Sequence, residues 1–184
     1  DPFAGLGSTL VAAALASRRG VGVELCRARV EIAKERLRRL GYEGALSCAS
    51  ARTIPLADKS VELALTNVPY FEGGDGRAAD ADQLYEVASY QEYLAGLPDI
   101  VDELFRVVRP GGHAVLMAEN VRDADGALRP LAWDWARALG ARFSLRDEVI
   151  LIYDRAHDDD GPATRTNRAH EYALVAERPA PIDD

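Results

Sequence analysis

Short strand-like segments alternate with helical ones along most of this chain, and that alternation restricts the fold more than any other feature. Residues 21–25, 45–49, 61–66 and 113–118 read as short buried strands. Between them, an Ala/Leu-rich run reaches from Ser8-Thr9 to Arg19, and a periodic helix covers 27–40 with apolar Val30, Ile32, Ala33, Leu37 and Leu40. Ser8 or Thr9 is suited to cap the first helix, Gly20 to end it and Gly41 to stop the second. A longer helix is expected over 90–108, kinked or split by Pro98, and another over 131–139. Arg109-Pro110-Gly111-Gly112 reads as a turn, and strands 148–153 and 171–176 close the chain. The expected fold class is α/β: a mostly parallel sheet with helices on both faces, and a C-terminal antiparallel hairpin at one edge. At 184 residues this is one domain, 1–184.

Composition excludes several classes. With 48% hydrophobic and 28% charged residues the chain is not disordered. Two cysteines, Cys26 and Cys48, cannot build a disulfide framework or a zinc site, and no apolar run reaches membrane-span length. These features predict a cytoplasmic protein that uses no membrane. The net charge of −8 argues mildly against a large independent grip on nucleic acid. It is unevenly spread, with ten bases against six acids in 1–60 and twelve against twenty-four in 61–184. The basic excess in Arg27, Arg29, Lys34, Arg36, Arg38 and Arg39 is interleaved with Glu31 and Glu35, the pattern of a solvated helix face.

Two local patterns carry chemistry. Gly5 and Gly7 fall in a turn between an acidic start and a helix N-terminus, where glycine permits positive φ and close approach of a ligand to the backbone. The spacing and lysine of a phosphate-cradling loop are absent. Glu24 ends the following strand, a position from which an acid accepts hydrogen bonds from ribose hydroxyls. The second pattern is Asn67-Val68-Pro69-Tyr70, delivered by strand 61–66 to the carboxyl edge of the sheet. The Asn67 amide oxygen and the Val68 carbonyl can both accept from an –NH2 group and aim its lone pair. Tyr70, with Phe71 beside it, offers a ring for an extruded base. Alone, Asn67-Val68-Pro69-Tyr70 would equally suit a turn after a strand.

Together these residues resemble the S-adenosylmethionine-dependent amino methyltransferases of nucleic acids, especially the DNA adenine-N6/cytosine-N4 enzymes. Asp1-Pro2-Phe3-Ala4-Gly5-Leu6-Gly7-Ser8-Thr9 is similar to their cofactor loop, and Thr66-Asn67-Val68-Pro69-Tyr70 to their catalytic tetrad. Arg19–Leu25, Val30–Leu37, Arg109–Gly112 and His170–Val175 also have family-like counterparts, so the resemblance spans nearly the whole chain. It implies a Rossmann-like class I methyltransferase fold and S-adenosylmethionine as cofactor. It implies Asp1, Phe3, Gly5, Gly7, Thr9, Glu24 and Ser50 on the cofactor, and Asn67, Val68, Pro69 and Tyr70 on the target amine, with no metal. The implied substrate is DNA, methylated on adenine N6 or cytosine N4. The same two motifs also suit an RNA amino methyltransferase, for example one acting on guanine N2 of tRNA, or a cofactor-binding subunit without activity.

Three positions depart from the family pattern. Val68 replaces the first proline, keeping the carbonyl acceptor but losing rigidity. Ser50 stands where an aspartate often meets the cofactor's adenine. The loop 71–90 carries Glu72, Asp75, Asp80, Asp82 and Glu86 against a single Arg77, which would repel phosphates unless turned away or matched by a partner. His113 and His170 read as structural, Trp133 and Trp135 as packing residues, and Asp158-Asp159-Asp160 lacks the geometry of an ion site. Arg155, Arg165 and Arg168 could touch phosphate or balance those acids. The cofactor loop normally follows a strand, so a first strand is expected upstream of Asp1. A targeting domain or partner subunit outside this sequence is expected as well.

Overall fold

A computed structural model describes residues 1–42, 44–71, 82–84, 87–122, 126–152 and 170–180. The expectations for Glu72, Asp75, Arg77, Asp80 and Glu86, for Asp158-Asp159-Asp160, and for Arg155, Arg165 and Arg168 lie outside those residues.

The helices are α1 (Ser8–Leu15), α2 (Arg27–Arg39), α3 (Tyr90–Ala95), α4 (Leu97–Val107) and α5 (Leu131–Gly140). The strands are β1 (Val21–Glu24), β2 (Ala45–Cys48), β3 (Val61–Asn67), β4 (Val108–Ala118), β5 (Val121–Arg122), β6 (Leu128–Arg129), β7 (Ser144–Ile152) and β8 (His170–Glu177). β1 pairs with β2 in parallel, and β3 with β4 in parallel. β8 then pairs antiparallel with β4 on one side and β7 on the other, giving the order β3-β4-β8-β7. The expected hairpin is present, but the sheet is mixed rather than mostly parallel. The returning chain places β8 directly against β4, so in this four-stranded sheet two antiparallel ladders join one parallel ladder. Residues 109–112 are not a free turn but a bulged start of β4: Val61 pairs with Val108, and the register resumes at Leu63 with His113.

Helices cover both faces, as alternation along β1 shows. Val23 belongs to the larger core, with Ile100, Leu104, Leu116 and Trp135, under α3, α4 and α5. Its neighbour Gly22 faces the smaller core of Ala4, Leu10, Val30, Ala33, Leu37 and Leu46, under α1 and α2. A Cβ on Gly22 would lie 2.7 Å from Leu46, 2.8 Å from Ala4 and 2.9 Å from Leu10. Those contacts explain a glycine in the middle of a buried strand. Gly22→Val should therefore lower unfolding stability by about 3 kcal/mol, by overpacking this small core. Urea denaturation followed by circular dichroism checks it.

α1 differs from its expected limits at both ends. No side chain caps it; Gly7 is the N-cap in the left-handed conformation, φ 80°, and Ser8 Oγ instead accepts from Arg36 at 3.0 Å. The helix stops before Gly20 because Ser17 takes the left-handed turn at φ 56°, and Arg18 N–H closes back on the Ala13 carbonyl at 2.8 Å. The 90–108 segment splits as expected: α4 restarts with Pro98 in its first turn, where a missing N–H costs nothing. Leu97, Ile100, Val101, Leu104 and Val107 give α4 a buried stripe at helical spacing. Trp135 is fully buried, while Trp133 is half exposed.

Candidate functional site

Residues 1–4 run beside β1. The Asp1 nitrogen donates to the Val21 carbonyl (2.8 Å), Val23 N–H to the Asp1 carbonyl (2.8 Å) and Ala4 N–H to the Val23 carbonyl (2.9 Å). The Asp1 carboxylate accepts from Phe3 N–H at 2.9 Å and from the Thr66 hydroxyl of β3 at 2.6 Å. Thr66 is fully buried, so this bond ties the first motif to the strand that delivers the second. The chain then turns through Gly5 (φ 51°) and Gly7 (φ 80°) into α1.

Glu24 holds that turn from the other side. Its carboxylate, only 7% exposed, accepts from Gly5 N–H at 3.0 Å and from Cys26 N–H at 2.9 Å, while Arg29 approaches to 3.9 Å. Each oxygen is occupied by one backbone donor and keeps a lone pair for another.

A cavity of about 300 Å³ opens over this turn. Phe3, Gly5, Glu24, Ser50, Asn67, Pro69 and Tyr70 all line it. The structure thus brings the two sequence motifs to one cavity. Asp1, Gly7, Thr9 and Val68 do not line the cavity. Asp1 braces the loop from behind, and Gly7 packs toward Ala33 and Leu37 of α2. Thr9 sits half-buried on α1, and the Val68 side chain is in the core at 2% exposure. Among wall residues the motifs did not single out, Leu25, Cys26, Ala51 and Arg52 follow directly on Glu24 or Ser50 and could have been found by contiguity. Ile100, from α4, and Asp82-Gln83-Leu84 carry no comparable signal.

Val68 does not loosen the tetrad as expected. Its N–H donates to the Met117 carbonyl at 3.0 Å, extending the β3–β4 pairing one residue past the strand. Proline has no such donor. Val68→Pro should therefore cost about 1 kcal/mol of stability, despite matching the family pattern. Thermal unfolding of the two proteins decides it.

The Pro69 carbonyl is held from α3. The Tyr93 hydroxyl donates to the Pro69 carbonyl at 2.7 Å and accepts from the Trp135 indole N–H at 2.7 Å. Burial pushes the Tyr93 phenol well above its usual pKa. Tyr90 stacks on Tyr93 with ring centroids 5.7 Å apart, and Phe71 meets both rings edge-on. Burial, then the hydrogen bond to Asp134 (2.8 Å), raises the Tyr90 phenol too. The Arg129 guanidinium lies 4.7 Å from the Phe71 ring centroid and 5.1 Å from that of Tyr90. Phe71 therefore belongs to an aromatic cluster capped by a cation, beyond the supporting role beside Tyr70 expected of it.

Charge placement makes the basic helix a solvated, internally paired face. Arg38 and Arg39 both bind Glu35, Lys34 pairs with Glu31, and Arg36 is spent on the α1 turn. On the acidic loop, Asp82 faces Arg52 at 3.9 Å, which in turn reaches Asp99 at 3.6 Å. Among the described residues no cluster of three His, Cys, Asp or Glu could hold a metal ion, and no helix is long and apolar enough to cross a membrane.

No protein-family model matches the chain. Solved structures do. A SAM-dependent methyltransferase from Methanosarcina mazei aligns with 97% of this chain and 90% of its own at a TM-score of 0.64 and 14% identity. TrmN from Thermus thermophilus aligns with 97% of this chain and 42% of its own, at a TM-score of 0.66 and 20% identity. A second Thermus thermophilus protein, provisionally named a DNA modification methylase and solved with S-adenosyl-L-methionine, covers 73% and 53% at 0.52 and 23%. The chain shares the fold of these structures. At these identities the likeness establishes architecture, and the chemistry rests on the site.

Proposed function

We propose that this chain transfers a methyl group from S-adenosylmethionine to an exocyclic amino group of a base in DNA, adenine N6 or cytosine N4. The observation that carries the reading is the shared cavity: a glycine turn locked by a buried carboxylate on one side, and Asn67-Pro69-Tyr70 on the other. The residues fit the cofactor. Glu24 keeps acceptor capacity at the end of β1, Gly5 exposes backbone without a side chain, and Ser50 and Phe3 complete that wall. Asp1, Gly7 and Thr9 act through the loop they shape. When bound, S-adenosylmethionine supplies an electrophilic methyl on a sulfonium.

The chain's own residues do the positioning. The Asn67 side-chain oxygen and the Val68 carbonyl accept the two hydrogens of the target amine and turn its lone pair toward the cavity. Val68 does this with a backbone held by its bond to Met117, so valine serves where the carbonyl alone is required. Tyr70 presents its ring to the extruded base at a stacking gain of about 1–3 kcal/mol. Pro69 fixes the bend between them. A neighbour bearing a DNA modification methylase name accords with this scheme. A targeting domain or partner outside this chain would supply sequence recognition.

The test is transfer of a radiolabelled methyl from S-adenosylmethionine to unmodified genomic DNA and to total RNA in parallel. Label in DNA supports the reading. Label in RNA alone assigns the RNA amino methyltransferase function instead, and cofactor binding without transfer to either identifies a non-catalytic subunit.

A further inference from the structure

We propose that Trp135 and Tyr93 are positioning residues that set the aim of the Asn67–Tyr70 segment through a hydrogen-bond relay of fixed polarity. The inference rests on the function proposed above. The Trp135 indole can only donate, and the Pro69 carbonyl can only accept. The single Tyr93 hydroxyl between them, at 2.7 Å from each, must therefore receive the indole proton and give its own to Pro69. Both side chains are fully buried, so their polar atoms depend on each other and on the Pro69 carbonyl for partners. Most tyrosine hydroxyls can rotate between partners; this one has a single satisfied orientation.

The relay also spans both motifs. Trp135 meets the Phe3 ring of the glycine turn edge-on, with centroids 6.5 Å apart. A single α5 side chain thus contacts the cofactor-side loop directly and the amine-side segment through Tyr93. On the amine side, the Val68 N–H is pegged to β4 and the Pro69 carbonyl to Tyr93, so the peptide that carries the Val68 carbonyl lies between two anchored ones. That leaves the Asn67 side chain and the Val68 carbonyl on a backbone with little freedom to tilt. Positioning of this kind matters because displacement of a reacting group by about 1 Å costs on the order of a hundredfold in rate.

Tyr93→Phe tests the relay, because it removes one oxygen and keeps the ring. The variant should lose about tenfold in kcat for methyl transfer to genomic DNA, a fraction of what full misplacement costs. Its calorimetric Kd for S-adenosylmethionine should be unchanged, and its Pro69 carbonyl ¹³C resonance should shift. Trp135→Phe should cost less, and the double variant should match Tyr93→Phe alone in kcat, since the indole reaches the amine-side segment only through the hydroxyl. Trp133→Phe, on the exposed side of the same helix, should behave as wild type.

Full kcat in Tyr93→Phe, a loss that merely tracks its unfolded fraction, or additive losses in the double variant would overturn the relay. If the wild-type chain transfers no methyl at all, the proposed function fails by itself, and the relay is then decided by the Pro69 resonance. A shift in Tyr93→Phe upholds it and an unmoved resonance overturns it.

Discussion

Asn67→Ala is expected to reduce methyl transfer by about a hundredfold or more while leaving S-adenosylmethionine affinity within about twofold of wild type. Asn67 ends β3 with its side chain exposed at the cavity wall, and its backbone pairs with Met117 in the parallel ladder. Truncation removes the amide without disturbing core packing, so stability should hardly change. The Val68 carbonyl would remain, but a single acceptor leaves the amine free to rotate about one hydrogen bond. The loss should therefore fall on kcat. Single-turnover kinetics with saturating cofactor, beside calorimetry of cofactor binding, separates the two quantities. An unchanged single-turnover rate would remove Asn67 from the mechanism.

Glu24→Ala should act on the opposite quantity. The Glu24 carboxylate is the shared acceptor for Gly5 N–H and Cys26 N–H, and it is buried. Its removal strands two backbone donors, each costing about 1–3 kcal/mol where water cannot reach, and releases the glycine turn. Cofactor affinity should drop by about 10- to 100-fold, partly through lost contact and partly because binding must now order the turn. Saturating cofactor should restore much of the kcat, unlike the Asn67 variant. Calorimetric titration gives the affinity directly, and wild-type affinity in Glu24→Ala would place the cofactor elsewhere.

Much of this site is legible in the sequence because its parts are local. Gly5 and Gly7 reveal a turn through the backbone freedom they alone permit, and Glu24 reveals itself by ending the next strand. Asn67 to Tyr70 combine turn formers with hydrogen-bonding groups at a strand's carboxyl end. The alternation of strand and helix likewise predicts a two-sided α/β layer, because each buried strand must be covered. What escapes is set by distant partners. Nothing in 171–176 announces that β8 pairs with β4, so the mixed sheet is not readable from periodicity. The first helix start lacks the side-chain cap its sequence suggests, because Ser8 is drawn to Arg36, 28 residues away.

The least legible element is the support behind the tetrad. Tyr93 lies 24 residues from Pro69, and Trp135 lies 42 from Tyr93. In sequence each is one more apolar aromatic on a helix. Val68 is the reverse case: it stands out as a departure, but its meaning depends on the Met117 carbonyl across the ladder. The wall formed by Arg52 and Asp82 shows the same limit, since an acid in a loop gains a role only from the cation it faces.

In the proposed mechanism Asn67 and Val68 direct an exocyclic base amine at the methyl of S-adenosylmethionine. Its most direct test is mass-spectrometric nucleoside analysis of DNA and RNA incubated with the protein and cofactor carrying a deuterated methyl. Deuterated N6-methyladenine or N4-methylcytosine nucleoside is expected from DNA, and neither with Asn67→Ala. Label on a ring carbon, or none in any nucleoside, would contradict it.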